Sequence, residues 1–156
     1  MAWTAPRTWV AGETLTAALL NTHVRDNLTA LTTWDAWTPT LSGSWTLGNG
    51  TLTGSVIQAD SLIIARLTFT FGSTTSPSGA LVFTLPATAV AATGMPLGWA
   101  GLVDTSAGAR YFRTVLQTAT TGIQFADLSD TRVTNTVPFT WATGDTLQAQ
   151  FVYEAA

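Results

Sequence analysis

Cysteine and lysine are absent from this chain, and histidine occurs once, at position 23. Without cysteine there is no disulfide framework, no thiolate nucleophile and no cysteine-based zinc site. A Ser-His-Asp triad would have to use His23, and no G-x-S-x-G elbow accompanies it. Phosphate loops and dinucleotide fingerprints are missing as well. Charge is scarce: 10% of residues are charged, against about 25% in an ordinary soluble domain. The net charge of −3 argues against a nucleic-acid partner, which needs a basic surface. Long apolar runs are missing too. The longest, residues 87–103, is broken by Gly94, Pro96, Gly98 and Gly101 and is too short for a membrane helix. The first thirteen residues lack a basic start followed by an apolar core, so no signal peptide is expected. These absences set the expectation of no enzyme, no catalytic residue, no metal or other cofactor, and no membrane partner.

What is present is threonine, with 31 copies, and 46% apolar residues in a chain of 156. That length fits one domain with a modest core. Threonine suits strands because its branched Cβ fits a pleated surface. A Thr-rich, charge-poor surface fits a chain packed against copies of itself or another scaffold; a neutral secreted β-domain has the same composition.

Only residues 9–34 carry helical periodicity. Thr16 is placed to cap a helix over residues 17–32, with Leu15 and Leu20 placed for a hydrophobic staple. Ala17, Leu20, Val24 and Leu31 fall on a/d spacing, with Asn27 in the remaining d slot. An in-register asparagine favours a coiled-coil seam that sets copy number; packing of a short helix on its own sheet is the competing reading. His23 lies beside the seam and reads as structural. Ahead of the helix, Trp3 and Trp9 sit in an extended arm and would anchor it, either on this chain's β-domain or on a neighbour.

From Trp37 the period changes to two. Short strands are expected at 37–41 and 45–47, with Gly48-Asn49-Gly50 turning the chain so that 51–58 pairs back across it. Residues 61–71 form the clearest strand, with Ile63, Ala65, Leu67, Phe69 and Phe71 on one face. Further strands are expected at 80–85, 97–104, 110–118, 123–127, 132–137 and 146–154. The fold class is mainly β: an arm and one short α-helix (1–36), then an antiparallel β-sandwich of jelly-roll type (37–156).

Asp127 and Asp130 form a loop carboxylate pair of the kind that can hold calcium, but turn capping and pairing with Arg132 is the preferred reading of them. Aromatic residues are the better lead. Trp45, Trp99 and Trp141 lie in or near strand ends and turns, where tryptophan can bind a sugar ring or a protein surface, or pack in the core.

The run RTWVAGETLTAALLNTHVRDNLTAL (7–31) resembles the N-terminal segment of small virion proteins of actinobacterial tailed phages. WDAWTPTLSG (34–43) and GNGTLTGSVIQADSLIIARLTFTFGSTTSPSGALVFTLP (48–86) look like the β-domain that comes next in that family, and PFTWATGDTLQAQFVYE (138–154) resembles its closing strands. Ser55-Val56 departs from the pattern, where an aromatic and a basic residue are common. The resemblance implies a non-enzymatic, trimeric structural protein on the virion, made in the host cytoplasm and contacting major capsid or tail proteins. Capsid decoration suits a small one-domain trimer; a tail-fibre or minor-tail protein contacting a host-surface glycan is the alternative.

Overall fold

The computed structural model describes residues 3–156; the first two residues of the expected arm lie outside that range. After the arm comes a helical segment built of α1 (Ala17–Leu20), a π-helical turn (Asn21–Arg25) and α2 (Asp26–Ala30). Nine strands come next: β1 (Asp35–Trp37), β2 (Leu41–Ser42), β3 (Thr51–Ala59), β4 (Leu62–Thr70), β5 (Val82–Thr84), β6 (Pro96–Asp104), β7 (Ala109–Ala119), β8 (Gly122–Ala126) and β9 (Thr146–Glu154). They form one antiparallel sheet in the order β1-β3-β4-β9-β6-β7-β8-β5-β2. The sheet curls into a half-barrel.

The expected two-sheet sandwich gives way to this single curled sheet. The reason lies in the last strand. β9 inserts between β4 and β6, with nine residue pairs to β4 from Leu62↔Glu154 to Thr70↔Thr146, and joins what would otherwise be two sheets. Strand twist then wraps the sheet around its own apolar face. Ile63, Ala65, Leu67 and Phe69 of β4 face inward beside Leu147, Ala149, Phe151 and Tyr153 of β9, all buried. Trp45, Leu81, Leu85, Val133, Phe139 and Trp141, from the connecting segments, complete the core from the open side.

Local chemistry explains the turns. Asp60 takes φ +55° in the tight β3–β4 hairpin, a conformation that Asp tolerates better than most residues. Gly48 is also left-handed, at φ +55°, and the Gly50 N–H closes its turn on the Leu47 carbonyl. That turn does not make the expected hairpin. β3 pairs with β1 and β4 instead of with residues 45–47. The Asn49 amide turns outward to the next loop: its Oδ1 accepts from the Thr74 N–H at 2.8 Å. Residues 132–137 are likewise not a strand but contribute only isolated bridges, Arg132 to Ala126 and Thr134 to Ala80. The expected strand 37–41 is split, with β1 ending at Trp37 and β2 starting at Leu41, and 45–47 contributes only the bridge Thr46 to Ser76; the other expected strands are present to within a few residues at each end.

Candidate binding surfaces

The helical segment starts as its sequence dictates. Thr16 Oγ1 accepts from the Leu19 N–H at 3.3 Å, satisfying one free donor of the first turn. Past that cap the amphipathicity is inverted. The side facing the rest of the chain carries His23, Asp26, Asn27 and Ala30, all buried or half-buried. The exposed side carries Leu20, Val24, Leu28 and Leu31, each more than 40% accessible. Ala17 is exposed as well. An ordinary surface helix does the opposite.

Asn27 departs from its expected place in the seam. The π-helical turn inserts one extra residue between Leu20 and Asp26, which swings everything after it by about 100° around the axis. Leu28 moves into the stripe with Leu20 and Val24, and Asn27 moves out of it to the buried side. There its Oδ1 accepts from the Thr4 N–H at 3.0 Å, and its Nδ2 donates to the Thr4 carbonyl at 2.8 Å. The arm is therefore held on this chain's own helix. Trp3 is half-buried. Trp9 meets His23 edge-on, with ring centroids 6.4 Å apart, and the Arg7 guanidinium lies 4.9 Å above the Trp9 ring. Arg7 also pairs with Glu13 at 2.5 Å. Leu15 and Leu20, the expected staple, line an open apolar groove of about 410 Å³ together with Trp9, Val10, Glu13 and Val24.

The three tryptophans expected as surface binders separate sharply. Trp45 and Trp141 are core residues, 4% and 5% accessible. They pack edge-on at 5.9 Å, and each indole N–H donates to a backbone carbonyl, of Gly79 and Thr134 respectively. Neither can bind a surface ligand. Trp99 is 59% accessible. The β6–β7 register slips between Pro96 and Gly98, and such a bulge reverses the strand phase. Leu97 thus points inward, yet Trp99, Gly101 and Val103 face out while Ala100 and Leu102 are buried.

Around Trp99 the outer face of the sheet is shaped into three adjoining depressions of about 420, 460 and 490 Å³. The first is lined by Thr53, Ser55, Arg66, Thr68, Gln148 and Gln150 beside Trp99. The second lies over Gly101, between Phe112, Arg110, Thr146 and Gln148. The third runs from Trp99 and Phe112 to Asp127, Leu128 and Ser129. Phe112 is 72% accessible and Leu128 fully so. Sequence reasoning misses Phe112 and Gly101. A signal exists for Phe112: in a strand, adjacent Tyr111 and Phe112 must face opposite ways, and Tyr111 packs inward on Phe139 at 5.4 Å.

The carboxylate pair behaves as turn chemistry. Asp127 Oδ1 accepts from the Ser129 and Thr131 N–H groups, both at 2.9 Å. The bond from Thr131 leads in holding the Asp127 carboxyl below its usual pKa, with Ser129 and the Arg113 charge adding to it against partial desolvation. Asp130 sits at φ +59° in the same turn. Among the described residues, no three His, Asp or Glu side chains gather to hold a metal, and no helix is long and apolar enough to cross a membrane.

Comparison with protein-family models, with curated proteins and with solved structures finds no match.

Proposed function

We propose that the chain is a non-enzymatic structural protein of a tailed-bacteriophage virion, assembled as a trimer through its N-terminal helix and displayed on the particle surface. The observation that carries the assembly part is the inverted helix. Leu20, Val24, Leu28 and Leu31 face solvent, and a stripe of that kind is stabilised by a matching stripe. A second copy supplies one. The helix is too short to hold an oligomer alone, so the neighbouring arm groove at Trp9, Val10 and Leu15 would add contact area. The virion assignment and the number three rest on the sequence resemblance of residues 7–31, 34–43, 48–86 and 138–154. Capsid decoration is preferred for a subunit this small, with the major capsid protein as its neighbour.

A tail-fibre or minor-tail role is the second reading, favoured by the sculpted outer face at Trp99 and Phe112. Light scattering of wild type and Leu20→Asp tests the assembly: a trimer should become a monomer with its β-sheet circular dichroism intact. An unchanged mass would remove the helix as the seam. Labelled protein imaged on particles then separates head from tail.

A further inference from the structure

We propose that the outer face of the sheet around Gly101 is a saccharide-binding groove, and that its ligand is a linear oligosaccharide chain. Such a groove deepens the receptor-contacting role of a tail protein and rests on that role only for biological context.

Gly101 is the starting point. Glycine in a strand interior weakens the strand and exposes backbone, so its presence asks for a cause. Nothing inside the chain supplies one. A Cβ at Gly101 would meet no atom within 4 Å, and its φ is not left-handed. Its neighbour Gly98 differs: a Cβ there would strike the Gln150 carbonyl oxygen at 2.2 Å. The empty space at Gly101 is therefore unused by the fold. Strand-interior glycines mark a bulge, a tight bend or a close approach from outside, and the register slip in this strand falls at Pro96/Gly98, not at Gly101.

The surroundings define what approaches. Phe112 stands opposite Gly101 and Thr114 opposite Trp99 in the β6–β7 register. The two exposed rings thus sit on one diagonal, beside the notch. Gln148 borders both the first and second depressions, and Trp99 both the first and third, so the three adjoin and together make up the proposed groove. Crossing β3, β4, β9, β6 and β7, it extends about 19 Å at ordinary strand spacing, room for several linked sugar rings. Its middle offers flat apolar rings flanked by amides and hydroxyls from Gln148, Gln150, Thr68 and Thr114. Such groups satisfy sugar hydroxyls while the rings cover the apolar C–H face. Each depression also carries one arginine, Arg66, Arg110 and Arg113 in turn, with Asp127 beside the third. The Arg66 guanidinium is drawn aside over the Trp34 ring, 4.3 Å from its centroid.

The test is an array of bacterial surface polysaccharides probed with the labelled full chain, then calorimetric titration of the strongest binder. Wild type should bind. Trp99→Ala should weaken binding at least about tenfold. Gly101→Val should do the same while leaving the melting temperature unchanged or higher, because valine suits a strand and the space is free. Leu20→Asp should bind each chain as wild type does, so failure of the assembly reading leaves this one standing. No glycan bound above background would overturn the proposal, as would binding that Trp99→Ala and Gly101→Val leave intact. If instead Trp99→Ala lowers the assembly mass and no glycan binds, the face is a protein contact and the saccharide assignment falls.

Discussion

Asn27 holds Thr4 by both halves of its amide, accepting from the backbone N–H at 3.0 Å and donating to the carbonyl at 2.8 Å. This is the pairing that a strand would offer, made by one side chain 23 residues away in sequence. It fixes the arm to the helix where the arm has no regular structure of its own. Asn27→Ala should therefore free the arm without unfolding the β-domain. Losing two partly buried hydrogen bonds costs about 2 kcal/mol locally. Tryptic cleavage after Arg7 should quicken by at least about tenfold, while the melting temperature of the sheet stays close to wild type. Unaltered cleavage would show that Trp3 and Trp9 hold the arm by themselves.

A second clamp lies inside the sheet. Asp145 is fully buried and accepts three hydrogen bonds. Its Oδ1 takes the Thr105 N–H at 2.9 Å and the Thr105 hydroxyl at 2.8 Å, and its Oδ2 takes the Ala142 N–H at 2.7 Å. It thereby ties the β6–β7 turn to the entry of β9, the strand that joins the two halves of the sheet. Asp145→Ala strands these donors and should cost about 3 kcal/mol, lowering Tm by roughly 10 °C. Asp145→Asn should recover little, because its NH2 must face one of the same donors. Thermal denaturation monitored by circular dichroism reads both. Full stability of the Asn variant would mean that water supplies the missing acceptor.

The sequence exposes some of this architecture and hides the rest for identifiable reasons. Residues 61–71 and 146–154 are legible because one face of each strand is wholly buried, so alternation must appear in the chain. Gly48-Asn49-Gly50 announces a turn but not its partner: positive φ is local, while Asn49's bond to Thr74 depends on the folded loops. The single sheet is set by where β9 inserts, and strand order leaves no trace in alternation. Heptad counting misplaces Asn27 because it assumes a regular helix, and one π-helical turn shifts the count. Trp99 cannot be told from Trp45 and Trp141 without the bulge beside Gly98.

Tyr153 carries the clearest pH dependence. Its hydroxyl donates to the Ala87 carbonyl at 2.9 Å and accepts from the Ala87 N–H at 3.0 Å. Burial pushes its pKa from 10.0 up to about 12, partly offset by the bond to Ala87. The folded chain then keeps a proton that the unfolded chain loses. The stability so gained is full below about pH 10 and is lost as pH rises from about 10 toward 12. Tyr153→Phe should be less stable at neutral pH, since Ala87 loses its partner, and its stability should decline less over that alkaline window. Urea unfolding at several pH values, with phenolate absorbance recorded in parallel, checks both. Equal alkaline slopes in the two proteins would remove Tyr153 as the cause.

The π-helical turn itself can be put to the test through neighbours. With a regular helix, Asn27 would sit in the seam and Leu28 at its edge. With the extra residue, Leu28 joins Leu20 and Val24 at the exposed stripe, 60% accessible, and Asn27 is 6% accessible. Leu28→Asp should then disperse the assembly as fully as Leu20→Asp. Asn27→Leu frees the arm and should not raise the mass, although leucine at a true d position would strengthen a coiled coil or raise its copy number. Light scattering on the three variants at matched concentration distinguishes the two geometries. If Asn27→Leu raises the mass and Leu28→Asp leaves it unchanged, the helix in the assembly is regular, and the π-helical turn belongs to the single chain alone.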